Sequence, residues 1–188
     1  MNKFEEKAQL TKDSLIQAFW ELVWEKGFQK IKIKDVTDRA GVYRSTFYLH
    51  FTDIYDLLEK EEDSLIEIWK TKTEGFSDIS SPYELLKNFS EYYNENGEKI
   101  FTLLNNKITS QYESKMKQYI YNRFLLIYKE YDTTGFDYIF EFYISAIIGA
   151  LTKWYSDGKV VPIDNIIEQM MHLIEAGIQL SLSSSIKC

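Results

Sequence analysis

The stretch Lys34-Asp-Val-Thr-Asp-Arg-Ala-Gly-Val-Tyr-Arg-Ser-Thr-Phe-Tyr-Leu-His-Phe51 decides the fold. Val36 and Ala40 lie one helical turn apart and Gly41 follows them directly, so residues 35–40 read as a short amphipathic helix stopped by a glycine. After the tight Gly41-Val42 turn, residues 45–51 read as a second short helix. For Val36, Ala40, Val42 and Phe47 to share one core, that helix must cross the first at a steep angle. Tyr43, Arg44, Ser45, Tyr48 and Leu49 then lie along its outer face, with Thr46 and His50 beside them. Such a face is rich in groups that reach phosphates or base edges, which makes the pair a candidate helix-turn-helix.

Working outward, residues 11–26 carry Leu15, Ile16, Phe19, Leu22 and Val23 at helical spacing, and Gly27 is placed to end that helix. Ile31-Lys32-Ile33 is too short to be a helix of its own. Thr52 or Asp53 offers an oxygen to cap a fourth helix running through Leu57, Leu58, Leu65 and Trp69. Ser81-Pro82-Tyr83-Glu84 combines an N-cap serine, a proline at the first helical position and a glutamate at the third, the clearest helix start in the chain. Further helices fit 82–94, 98–105, 110–130, 136–156 and 164–182, separated at Asn96-Gly97, Thr134-Gly135 and residues 158–162. No repeat and no strand pair is visible, so the expected fold is all-α, about nine helices: a three-helix domain over 1–52 and a larger helical domain over 53–188.

Composition narrows the function classes. With 188 residues, 45% hydrophobic, 27% charged and only two prolines, the chain has neither a disordered nor a fibrous make-up. No run approaches the roughly 18 uncharged apolar residues of a membrane span. Residues 1–10 carry four charges of both signs and no apolar stretch, which is unlike a signal peptide, and a cytoplasmic location is the expectation. Cys188 is the one cysteine, and His50 and His172 are far apart, so neither a disulfide framework nor a metal site or cofactor is expected. There is no nucleophile with an adjacent base, no phosphate loop and no isolated carboxylate cluster, which argues against an enzyme. The net charge of −7 argues against indiscriminate polyanion binding. Residues 1–60 nevertheless hold ten basic and ten acidic side chains, leaving the whole deficit to the rest. Lys26, Lys30, Lys32, Lys34, Arg39 and Arg44 crowd into one part of this neutral head, where they could neutralise several phosphates, although Lys30 and Lys32 also suit a plain solvated edge.

Ala40-Gly41-Val42, Thr46-Phe47-Tyr48 and His50-Phe51, preceded in register by Lys26-Gly27-Phe28, resemble the DNA-binding signature of the TetR family over roughly residues 11 to 60. The resemblance implies a three-helix DNA-binding head, a fourth helix linking it to a helical body, and a homodimer. Carried over residue by residue, it puts DNA contacts on Lys34 and on Arg44, Ser45, Thr46, Tyr48, Leu49 and His50. Arg44 is the candidate for base readout, because a guanidinium fork matches guanine O6 and N7. Tyr48 and His50 suit phosphates. One position departs: family members commonly carry a lysine at the start of the fourth helix, where this chain has Ile54.

Beyond Lys60 the sequence turns aromatic. A cavity lined by residues such as Tyr92, Phe101, Tyr112, Tyr119, Phe140 and Tyr143 would suit a small apolar or planar ligand, with tyrosine hydroxyls orienting it; ordinary core packing is the competing reading for each. Phe140, Tyr143, Ile147-Ile148-Gly149, Trp154 and Gly158 resemble the C-terminal domain of the family's members from low-GC Gram-positive bacteria. The segment from Tyr143 to Trp154 is apolar on nearly every side, and Ile166, Ile167, Met170, Met171, Leu173, Ile174, Ile178 and Leu180 show the same excess. The resemblance implies that these two helices pair with their symmetry mates. The expected function is a repressor that leaves double-stranded operator DNA when a small molecule binds the body, activation using the same parts. The rival is a protein that keeps the fold but works by contacting another regulator.

Overall fold

The computed structural model describes residues 3–74, 82–105, 111–127 and 134–185. All regular structure among them is helical. The chain divides between Ser64 and Leu65 into two compact units.

The first unit contains α1 (Lys3–Lys26), a 3₁₀ turn over Phe28–Lys30, α2 (Ile33–Ala40), α3 (Arg44–Phe47) and the first part of α4 (Ile54–Glu74). Leu15, Phe19, Leu22 and Val23 form the buried stripe of α1. The helix begins well before that stripe, and residues 3–10 are an exposed, mixed-charge extension of it. α2 starts at Ile33, two residues before the start that periodicity suggests. The reason is Asp35, whose Oδ2 accepts the Lys32 N–H at 2.9 Å and so satisfies a donor at the helix start. At the other end Gly41 adopts φ 67°, ψ 31°, a left-handed conformation open to glycine, and the Val42 N–H bonds the Thr37 carbonyl at 3.0 Å. α3 is a single α-turn where 45–51 was expected to be helical. Beyond it the chain tightens, with Leu49 N–H bonding Thr46 O at 3.2 Å and His50 N–H bonding Phe47 O at 3.0 Å. Leu15, Phe19, Val36, Phe47, Phe51 and Leu57 make the fully buried centre of this unit. The indole N–H of Trp20 donates to Glu61 Oε2 at 2.8 Å, a buried hydrogen bond between α1 and α4.

The second unit holds the rest of α4, α5 (Pro82–Asn105), α6 (Tyr112–Ile127), α7 (Phe136–Ser156) and α8 (Ile163–Ser185). The described residues therefore form eight α-helices, one fewer than the sequence suggests, because α5 passes unbroken through Asn96-Gly97. Both residues serve the helix. The Asn96 amide donates to the Tyr92 carbonyl at 3.2 Å. Gly97 leaves room for Tyr93, whose Cε1 would lie 2.7 Å from a Cβ at that position. α5 begins at Pro82, while Ser81, Ile178 and Leu180 lie outside the described side chains. On α7 the buried stripe is Phe136, Phe140, Ile144, Ile147 and Leu151, and on α8 it includes Ile163, Ile167, Met171 and Ile174. Apolar residues remain outside these stripes: Phe142 is 69% exposed and Leu173 73%.

Candidate nucleic-acid interface and ligand cavity

Phe47, fully buried, anchors α3 and fixes which side of it faces out. Tyr43 is 83% exposed, Leu49 81% and Tyr48 48%. Arg44, Ser45 and Lys34 are exposed too, while Thr46 and His50 are partly covered, so the eight candidate contacts are all accessible to some degree. Large side chains held open to solvent on a helix whose opposite side is core form a ready contact surface. Arg44 Nη2 and Nε donate to the Tyr48 hydroxyl at 2.9 and 3.2 Å, with the guanidinium carbon 5.6 Å from the ring centroid. This pair, four residues apart, holds the guanidinium along the helix surface.

The surroundings of His50 were not legible in the sequence. Lys60 Nζ donates to the His50 carbonyl at 3.0 Å and to Asp56 Oδ2 at 3.0 Å, and lies 5.3 Å from the centre of the Phe51 ring. Partial burial first, then the charges of Lys12 and Lys60, hold the His50 imidazole below its ordinary pKa. The basic cluster divides in two. Lys26 pairs with Asp35 at 2.7 Å, and Arg39 reaches Glu25 at 2.7 Å and Glu21 at 3.2 Å. The hydrogen bond from Arg39 pulls the Glu25 carboxyl below its usual range. Lys30, Lys32 and Lys34 are exposed and form no ion pair with another described residue. Ile54, where the family commonly has lysine, is 8% exposed and joins the core.

In the second unit a cavity of about 30 Å³ lies among Trp69 of α4, Phe124 of α6, Phe140, Tyr143 and Ile147 of α7 and Ile174 of α8. Phe140 and Tyr143 are thus brought together on its wall. The other four aromatic candidates are engaged elsewhere. Tyr92 donates to the Leu65 carbonyl at 3.0 Å, and its oxygen lies 2.8 Å from that of Tyr112, so Tyr112 is the donor of that second bond. Burial raises the Tyr92 phenol pKa well above its usual value. Tyr119 bonds Thr73, and Phe101 stacks on Tyr155 with centroids 3.8 Å apart. From sequence Trp69 reads only as a core residue of α4, and Ile147 and Ile174 as part of an apolar excess that suits dimer pairing, since helical periodicity does not separate a cavity-lining residue from a core one. A surface groove of about 440 Å³ lies beside the cavity, lined by Phe142, Ala146, Ala150, Met170 and Leu173 and sharing Tyr143, Ile147 and Ile174 with it.

Among the described residues no cluster of His, Cys, Asp and Glu could hold a metal ion. No helix among them is long and apolar enough to cross a membrane.

Comparison with known proteins decides the family. The profile described as "Bacterial regulatory proteins, tetR family" matches residues 15–60. The profile described as "Transcriptional regulator C-terminal region" matches residues 80–176, more than half of the chain. The chain belongs to the TetR family of bacterial transcriptional regulators. Similar solved structures share this TetR-family fold. The fatty acid degradation regulator FadR from Bacillus halodurans aligns at 14% identity over 87% of this chain and 94% of its own, with a TM-score of 0.68. A TetR transcriptional regulator from Streptococcus agalactiae aligns at 22% identity over 90% and 96%, TM-score 0.66. The dihydroxyacetone kinase operon activator DhaS aligns at 18% identity over 90% and 97%, TM-score 0.59. No curated protein sequence matches.

Proposed function

We propose that this TetR-family protein is a dimeric, ligand-responsive repressor acting in the cytoplasm, which binds a pseudo-palindromic operator and leaves it when a small molecule occupies the second unit. The observation that carries the DNA-binding part is the open face of α3, with Tyr43, Arg44 and Leu49 exposed on a turn pinned by buried Phe47. Arg44 reads a base, and Leu49 with Tyr43 offers apolar contact to thymine methyl groups. Lys34, Tyr48 and His50 hold phosphates, and Ser45 and Thr46 supply hydroxyls to either. Two copies present two such helices about 34 to 36 Å apart, or at a longer spacing set by the dimer.

Dimerisation uses α7 and α8. Phe142 and Leu173 form an apolar surface there, and Ala146 and the exposed Gly149 permit a close helix approach. The effector site is the cavity bearing Phe140 and Tyr143, whose apolar and aromatic wall suits a small apolar or planar molecule once its rings move apart. The effector acts only through a difference in its affinity for the operator-bound and released arrangements. The protein works by binding, without turnover.

The test is a gel shift on the DNA upstream of the protein's own coding sequence, repeated at rising salt. Binding that weakens steeply with salt is expected. No binding even at low salt would replace this reading with that of a partner-contacting protein. The neighbour DhaS is named an operon activator. A reporter fused to the bound promoter separates the two signs of regulation: deletion of the regulator raises expression under repression and lowers it under activation.

A further inference from the structure

We infer that the effector cavity takes an uncharged hydrocarbon, recognised by shape and dispersion without any hydrogen-bonded anchor; this rests on the ligand-responsive reading above. The residues facing the cavity include Trp69, Phe124, Phe136, Phe140, Ile144 and Ile174, and none of the lining residues bears a charge. The aromatic wealth of this unit suggests tyrosine hydroxyls as handles, but those handles point elsewhere. Tyr92 donates to the Leu65 carbonyl at 3.0 Å, Tyr112 bonds Tyr92 at 2.8 Å, and Tyr119 bonds Thr73. Tyr143 does line the cavity, yet its hydroxyl lies against Gly177 of α8, so close that any Cβ there would overlap it. The ring, not the oxygen, is what Tyr143 offers a ligand.

An ionised ligand in such a site would lose its hydration without gaining a partner, and a hydroxyl would lose a hydrogen bond it has in water. A hydrocarbon loses nothing of the kind. The present cavity, about 30 Å³, is far smaller than an aromatic molecule, and none of the surface its walls expose to it is polar. A ligand therefore enters by moving rings. Phe124 meets Phe140 at 5.8 Å and 68°, and Phe136 at 6.3 Å and 37°. These edge and tilted ring contacts are not hydrogen bonds, so they repack around another apolar body without breaking one.

Three probes of one ring size decide the matter by calorimetry on the full chain: naphthalene, 1-naphthol and 1-naphthoate. Naphthalene is expected to bind, 1-naphthol about tenfold more weakly, and 1-naphthoate at least about a hundredfold more weakly. Ile144 lines the cavity and not the neighbouring groove, so it locates the binding. Ile144→Phe should weaken naphthalene binding at least about tenfold by filling the space, and Ile144→Ala should strengthen it by enlarging the space. Naphthoate binding as tightly as naphthalene, no binding by any probe, or an affinity indifferent to both Ile144 variants overturns the inference. Should Ile144→Phe fail to fold, the ranking of the three probes on the unaltered protein decides alone. A gel shift without probe is run in parallel. Operator binding with a failed ranking overturns the ligand class only, whereas a ranking that holds without operator binding overturns the regulator reading.

Discussion

Arg44 carries the strongest consequence of any single side chain, because its donors are held by Tyr48 on an exposed surface and not by a carboxylate. A guanidinium so held exchanges a neutral phenol oxygen for a base edge at little cost. In the proposed role, Arg44→Ala lowers operator affinity by roughly 1 to 3 kcal/mol and relaxes preference at one base position, measured by competition among operator variants. Arg44→Lys should keep most of the salt dependence and still lose that preference, since a point charge lacks the fork. Preference unchanged in both variants would make Arg44 a phosphate contact. His50 yields a pH signature. Burial and two lysines favour its neutral form in the free protein, while a phosphate beside it would favour the protonated form. Its pKa is then lower free than bound, so complex formation takes up protons. Affinity should rise as pH falls from about 8 toward about 6 and level off below the depressed free-state pKa. His50→Gln should flatten that rise; a profile of the same steepness in the variant would remove His50 from the phosphate contacts.

Among the elements, α5 tests whether a local sequence signal or its packing controls the backbone. In an open helix, Gly97→Ala should stabilise by roughly 0.5 to 1 kcal/mol, because alanine is the better helix former. Here the new Cβ would lie 2.7 Å from Tyr93 Cε1. That ring is buried and packs against Trp154 with centroids 5.6 Å apart, which leaves it little room to yield. Overpacking of this kind costs roughly 1 to 3 kcal/mol, so the net change should be a loss of stability, read as a lower urea midpoint. A midpoint that rises would show that Tyr93 moves aside freely. The same position shows what the sequence leaves unread. Asn-Gly is a turn signal at short range, and only the ring that fills the glycine's place reveals it as a helical packing site. The apolar stripe of α1 and the glycine after α2 were legible because periodicity and φ > 0 are local demands. The pairing of Lys26 with Asp35 and of Arg39 with Glu25 was not, since each partner is fixed by how α1 and α2 pack. For the same reason a count of tyrosines in the second unit does not say where their hydroxyls point. The outward exposure of Tyr43, Arg44, Tyr48 and Leu49 was legible because the inward anchor, Phe47, was, whereas the shortness of α3 was not.

For the whole molecule, charge argues against casual DNA binding, which makes the salt response diagnostic. The chain carries −7, and two of the six clustered cations of the head, Lys26 and Arg39, are occupied by carboxylates. Lys30, Lys32 and Lys34 remain exposed for phosphates, Arg44 is given to a base, and Ile54 adds none. Each phosphate neutralised contributes about −0.9 to the slope of log K against log salt, so a dimer using these three lysines from both copies has a slope of about −5, which protonation of His50 on a phosphate steepens further at low pH. Lys34 then reports how many heads engage at once. Removing it from every copy should flatten the slope by about two units when two heads sit on one operator, but by about one when a single head does. Fluorescence anisotropy on a labelled operator, from about 50 to 200 mM salt, resolves that difference. A change of about one unit would leave the DNA bound by one head and contradict the symmetric dimer on its operator. No change at all would place Lys34 off the phosphates and shift the electrostatic contact to Lys30 and Lys32.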